Sequence, residues 1–255
     1  MMAQGLPEPT LVPAPVIAWG DFLFKWRNTV FPVVMAVLLL GFRPAGAGQA
    51  WDLWVDVFAL AVILGGSALR ILVVGLAYIK RGGMNKKVYA DKLVTEGIFA
   101  HGRNPLYIGN LMVLIGILVM HGSPWVLALG GAFYLASYGA IVAAEERFLA
   151  AKFGDDYRDY CARVPRWGIR LSGMRETFRG FSFNWRRVVV KEYSSICTGA
   201  VMVLLVVGEE ALAGRGLEAA RPALWAVAAA IVGVGLLALL VRALKKAGRL
   251  SEKAA

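Results

Sequence analysis

The sequence predicts an all-α fold, a polytopic membrane helix bundle of about six transmembrane helices, and three observations carry that prediction. Hydrophobic residues make up 58% of the chain and Asp, Glu, Lys and Arg only 18%, whereas soluble domains are about half apolar and about a quarter charged. The apolar residues are gathered into six stretches, 29–42, 53–78, 106–120, 125–144, 195–207 and 223–241. The basic residues then fall on one side. If the N-terminus lies inside and the chain crosses six times, segments 1–28, 80–104, 145–193 and 242–255 hold 24 of the 28 Lys and Arg, the partition expected of cytoplasmic loops.

Each element follows in order. Pro7, Pro9, Pro13 and Pro15 punctuate the N-terminus, after which VIAWGDFLFKWRN reads as an amphipathic helix lying in the interface. The acidic, proline-bearing start has no basic n-region or small-residue cleavage site, so no cleavable signal peptide is expected. A helix needs about 20 apolar residues to cross a bilayer. The first stretch falls short of that unless its aromatic flank is included, and it could instead be re-entrant. The second is long enough to tilt, and Arg70 lies inside it. HGSP, residues 121–124, joins the third and fourth spans as a tight helical hairpin, which returns residues 101–107 and 145–160 to the same face.

Beyond the fourth span, EERFLAAKFGDDYRDYCARVPRW continues as a helix. Phe148, Leu149, Phe153, Tyr157 and Tyr160 recur at threes and fours on one face. Val164 before Pro165 predicts its end. GMRETFRGFSFNWRRVVVKEY, rich in Arg and aromatics, is expected on the inner headgroup layer, and two further spans close the chain. The expected division is 1–59 for the interfacial segment and first span, 60–167 for the core, and 168–255 for the basic linker and last two spans.

The +11 net charge reads as a topology signal and an attraction to anionic lipid rather than as nucleic-acid binding. Cys161 and Cys197 suggest no disulfide framework, and two histidines make a metal site unexpected. The chemistry concentrates at the inner boundary. Glu145 and Glu146 form an acidic pair in a basic region, where burial without a cation would be costly. Arg103, brought near by the hairpin, is the nearest candidate partner.

Taken together, LVTEGIFAHGRNPLYIGN (93–110) and EERFLAAKFGDDYRDYCARVPRW (145–167) resemble the signature of the integral-membrane methyltransferases, which include the isoprenylcysteine carboxyl methyltransferases and the phospholipid N-methyltransferases. The family's Arg-His-Pro-x-Tyr-x-Gly falls on Arg103, Pro105, Tyr107 and Gly109. Its Glu-Glu pair falls on Glu145 and Glu146, and its Phe-Gly-x-x-Tyr-x-x-Tyr and Val-Pro on Phe153, Gly154, Tyr157, Tyr160, Val164 and Pro165.

The resemblance implies a pocket for S-adenosylmethionine at the cytoplasmic end of the bundle, and the partition of Lys and Arg makes the chain a multi-pass protein expected in the inner or cytoplasmic membrane with both termini cytoplasmic. It also implies methyl transfer to a membrane lipid or lipidated acceptor. Arg103 and Glu146 are the implied catalytic residues. The cofactor set is His101, Arg103, Asn104, Pro105, Tyr107, Gly109, Glu145, Glu146, Tyr157 and Tyr160. The residue types suit that ligand: a carboxylate for its ammonium, Arg103 for its carboxylate, tyrosines for adenine and Gly109 for close backbone approach.

Asn104 stands where the family has histidine, with His101 three residues earlier as a candidate for the same space. IVAA (141–144) stands where the isoprenylcysteine enzymes carry an arginine, which favours a phospholipid amine or related head group over a prenylcysteine carboxylate. Arg70 is a candidate substrate-binding residue, since an intramembrane charge is a functional candidate by default, and Arg163 is a second candidate. Two other readings stay open: an NADPH-dependent membrane reductase of the sterol-reductase type, and a non-catalytic lipid-binding scaffold.

Overall fold

The computed structural model describes residues 12–76, 90–179 and 182–250. The chain before residue 12 and the basic residues Lys80, Arg81, Lys86 and Lys87 lie outside them. Among the described residues there is no strand. The helices are α1 (Ala14–Gly41), α2 (Asp52–Leu76), α3 (Pro105–His121), α4 (Pro124–Arg163), α5 (Met174–Arg179) and α6 (Trp185–Lys246), with a 3₁₀ turn at Gly97–Ala100 before α3. Four of them, α1, α2, α4 and α6, are long and apolar enough to cross a membrane. The fold class is the one expected, a polytopic helical bundle.

Two elements depart from expectation in how the spans are built. The interfacial helix and the short first span are one continuous helix of 28 residues. At about 1.5 Å per residue that covers about 42 Å, enough to cross the hydrocarbon and reach the headgroups. Pro32 does not break it; Tyr134 of α4 donates its hydroxyl to the Phe31 carbonyl at 2.8 Å and ties α4 to this turn. The last two spans are the arms of α6, parted at Gly216 (φ 71°, ψ 167°). A Cβ built on Gly208 would lie 3.5 Å from Val227 and 3.7 Å from Leu224. The arms 185–215 and 217–246 therefore double back on each other.

The expected hairpin between the third and fourth spans is present. Pro105 opens α3, Gly122 (φ 72°) closes it, and Pro124 opens α4. Proline at the start and glycine just past the end is the asymmetry that helix termini favour. Gly122 is also pinned by space, since a Cβ there would stand 2.6 Å from the Ala45 carbonyl oxygen. This end of the bundle also carries Asp52, Asp56 and Glu210, whose ligand atoms lie within 4.8 Å of one another.

With no hydrophobic drive between helices in lipid, close association relies on small residues that let backbones approach. α2 and α3 meet in this way. A Cβ on Gly66 would stand 2.7 Å from the Gly109 carbonyl oxygen, one on Gly109 would stand 2.8 Å from that of Gly66, and one on Gly116 would stand 2.6 Å from Ile63. α1 is set against α4 at Gly20, facing the Ala140 carbonyl. Between these pairs lies the core of Leu23, Met35, Leu39, Ile117, Leu118, Tyr134 and Ile141. Gly109→Ala is expected to cost about 1–3 kcal/mol through overpacking against α2, read as a lower melting temperature in detergent. An unchanged melt would mean that the helices part without penalty.

Candidate active site

The hairpin returns the end of α4 to the segment that precedes α3, and three main features hold the two together. Arg103 N–H donates to the Pro165 carbonyl at 3.0 Å, and Arg170 N–H to the His101 carbonyl at 2.9 Å. Asn104 Nδ2 donates to the Arg166 carbonyl at 3.1 Å. α4 runs to Arg163 and ends at Val164, as the Val-Pro predicts, but Gly154 interrupts it with φ 52° and ψ −122°. Nothing crowds a Cβ at Gly154, so glycine is needed there for its conformation. The bend aims Tyr157 and Tyr160 inward, where they pack with Val164 against Leu93, Leu149 and Phe153. The Tyr160 hydroxyl donates to the Phe99 carbonyl at 2.7 Å.

Between these segments lies a cavity of about 410 Å³, lined by residues 90–94, Phe99, Arg103, Asn104, Glu145, Glu146, Leu149, Tyr157 and Tyr160. Its volume falls within the range of small-molecule sites, about 300–1,000 Å³. Six sequence-expected residues thus meet at one place: Arg103, Asn104, Glu145, Glu146, Tyr157 and Tyr160. The Glu146 carboxylate is bracketed by two guanidinium groups. Arg103 Nη1 lies 3.0 Å from Oε1 and Arg166 Nη2 lies 2.9 Å from Oε2. Arg103 Nη1 also contacts Cys161 Sγ at 2.8 Å, while its Nε is buried without an acceptor. Burial alone would lower the Arg103 guanidinium, but the Glu146 charge, with Cys161 and Tyr157, carries it above its ordinary value.

The other expected residues do not line this cavity, and each has a physical reason. His101 is buried, with Nδ1 2.8 Å from the Arg170 carbonyl oxygen and Nε2 2.8 Å from Thr177 Oγ1. It ties α5 and the 165–171 strap to the start of α3. Pro105 opens α3. Tyr107 lies on the α1 side: its ring packs on Tyr138 at 5.3 Å and its hydroxyl donates to Glu145 Oε1 at 2.5 Å. Gly109 faces α2, where its missing Cβ makes room for the Arg70 stem, 2.7 Å away.

Arg70, expected to receive a head group, is instead paired inside the bundle. Its Nε and Nη2 both donate to Glu192 Oε2, at 2.9 and 2.6 Å. Arg163 is exposed, its Nε on the Asp159 carbonyl at 3.2 Å. Sequence reasoning missed Arg166, Arg27, Glu192 and the lining segment 90–94. Arg166 had a signal, standing one residue past the Val-Pro; Glu192 had one too, as an acid following Arg186, Arg187 and Lys191 in a basic segment.

The architecture is a polytopic helical membrane bundle with a cavity at its basic end. Residues 55–156 match the phospholipid methyltransferase family model. The chain is 32% identical over 160 residues to the cobalt-zinc-cadmium resistance protein CzcN of Cupriavidus metallidurans, covering 61% of this chain and 69% of that protein. It is 28% identical over 155 residues to the nickel-cobalt-cadmium resistance protein NccN of Alcaligenes xylosoxydans, covering 61% and 70%. Against protein-S-isoprenylcysteine O-methyltransferase B of Arabidopsis thaliana it is 30% identical over 123 residues, covering 47% and 61%. No solved structure gives a significant match. The chain belongs to the integral-membrane methyltransferase family.

Proposed function

We propose that this protein transfers a methyl group from S-adenosylmethionine to a membrane-dissolved lipid acceptor, with a phospholipid amine or related head group favoured over a prenylcysteine carboxylate. The observation that carries the reading is the cavity where Arg103, Glu145, Glu146, Tyr157 and Tyr160 converge. Its lining sets the Glu145 and Glu146 carboxylates beside the Arg103 guanidinium, which suits a ligand whose amino-acid end bears both charges. Bound there, S-adenosylmethionine supplies an electrophilic methyl on a sulfonium whose charge is lost on transfer. Arg103, with its unpaired Nε, offers a fork to the amino-acid carboxylate. Glu145 and Glu146 offer carboxylates to the ammonium. Leu93, Phe99, Tyr157 and Tyr160 provide the apolar and aromatic wall that adenine needs. Alignment and exclusion of water would then contribute most of the rate.

The acceptor preference rests on which cations are already paired. The stretch Ile141, Val142, Ala143, Ala144 ahead of the glutamates is buried and apolar, and Arg70 is matched by Glu192. Neither leaves a guanidinium facing lipid for an acceptor carboxylate. An amine nucleophile must lose a proton, and a boundary carboxylate is the evident base. The Lys and Arg excess of the basic end supports a cytoplasmic position for it and for both termini.

The test is to incubate purified protein with methyl-labelled S-adenosylmethionine and the lipids of its source. Label is expected in an amine-bearing phospholipid. Binding of S-adenosylhomocysteine with no label in lipid would reject the lipid acceptor in favour of a protein or small thiol. Binding of NADPH instead would move the assignment to a reductase.

A further inference from the structure

α1 lies outside the residues matched by the family model, yet it sends one charge into the site. Arg27 is half-buried, thirteen residues into a 28-residue apolar helix. Its guanidinium sits over the Phe24 ring at 4.6 Å and the Tyr107 ring at 5.7 Å. Arg27 Nη1 donates to the Tyr107 hydroxyl oxygen at 3.0 Å. That hydroxyl in turn donates to Glu145 Oε1 at 2.5 Å. The result is a directional chain, guanidinium to phenol to carboxylate, in which each bond polarises the next. It ends on a residue that lines the cavity.

We infer that Arg27 is a positioning residue for the cofactor's amino-acid end, acting through Tyr107 to fix the orientation and charge of the Glu145 carboxylate. The inference rests on the methyl-transfer reading and deepens it. Three features argue for this role over a simple staple between α1 and α3. An arginine at this depth needs an anion or a strong acceptor, and the chain gives it a tyrosine whose proton is already committed to Glu145. The hydroxyl takes Oε1 at 2.5 Å, so one carboxylate oxygen is held and the plane of the group is fixed from the α1 side. Finally, Glu146 is bracketed by Arg103 and Arg166, whereas Glu145 is held by a neutral phenol rather than by direct contact with a cation. A carboxylate so held is prepared for an ammonium and has less freedom to lose when one binds.

Two ligands separate positioning from packing. S-adenosylhomocysteine carries the amino-acid end, whereas 5′-methylthioadenosine keeps the adenosine and sulfur but lacks it. Calorimetry on the full chain in detergent is expected to show Arg27→Met binding S-adenosylhomocysteine about tenfold more weakly, the size of one charged hydrogen bond, with methylthioadenosine affinity unchanged. Arg27→Lys should restore most of the loss. Tyr107→Phe should reproduce it, and the double variant should lose no more than Tyr107→Phe alone, because the two residues act as a unit. If Arg27→Met does not fold, Tyr107→Phe and Arg27→Lys carry the same comparison. Equal losses for both ligands, or no loss for either, would overturn the inference while leaving the methyl-transfer reading intact. Wild-type protein that binds neither ligand would overturn both.

Discussion

Glu146→Gln is expected to lower affinity for S-adenosylhomocysteine by about 100-fold or more while leaving a folded membrane protein. The magnitude follows from position. Glu146 lines the cavity and sits between Arg103 at 3.0 Å and Arg166 at 2.9 Å. Losing its charge leaves two guanidinium groups facing each other, with only a neutral amide between them. One lost charged hydrogen bond costs about 1.5–3 kcal/mol, and the mutual repulsion then moves Arg103 from where the cofactor carboxylate needs it.

The fold should survive because the contacts that close this end do not use the carboxylate. Arg103 N–H to the Pro165 carbonyl, Asn104 to the Arg166 carbonyl and Tyr160 to the Phe99 carbonyl all remain. Arg103→Ala should show the same loss by removing the fork itself. Calorimetry checks affinity, and a thermal melt checks folding. Normal binding by both variants would remove these residues from the site.

What the sequence reveals here depends on how local each signal is. Spans are legible because a run such as Leu106 to Met120 declares its solvent with no knowledge of its neighbours. The HGSP hairpin and the stop at Val164 are legible for the same reason, since proline and glycine act on their own backbone. Even the pairing of Arg103 with Glu146 is within reach, because a tight hairpin dictates which ends come together.

Side-chain direction is not so local. Tyr107 and Gly109 belong to one short motif, but two helical steps separate them by about 200°, so they cannot share a target. Tyr107 turns to α1 and Glu145, and Gly109 to α2. The continuous α1 was hidden because an aromatic, charged half and an apolar half differ in composition while sharing one backbone. His101 shows the limit most clearly: nothing in HGRN says that both its nitrogens are taken by residues 69 and 76 positions away.

Removing either member of the Arg70–Glu192 pair is expected to destabilise the protein strongly, and removing both is expected to restore most of the loss. The two residues stand 122 positions apart, on α2 and at the start of α6. Their side chains are 8% and 1% exposed. Taking an ion pair out of water is costly, so the pair need not stabilise the fold relative to a well-packed apolar alternative. Breaking it is different, because a buried charge then loses its ion-pair partner, at about 3–5 kcal/mol.

Glu192→Leu should therefore lower the melting temperature in detergent more than any surface substitution, and Arg70→Met should do the same. Arg70→Met combined with Glu192→Leu should melt near wild type. The location gives the pair a role beyond stability. The Arg70 stem fills the space left by Gly109, the Asn184 N–H donates to the Gly75 carbonyl at 3.0 Å, and Phe183 lies against Gly75. The C-terminal extension is thus locked to the helix that carries one wall of the α2–α3 contact. If the double variant melts near wild type but methylates poorly, the ion pair sets the alignment of the extension on the core. If it melts as low as the single variants, the charges themselves, and not their mutual compensation, hold α6 in place.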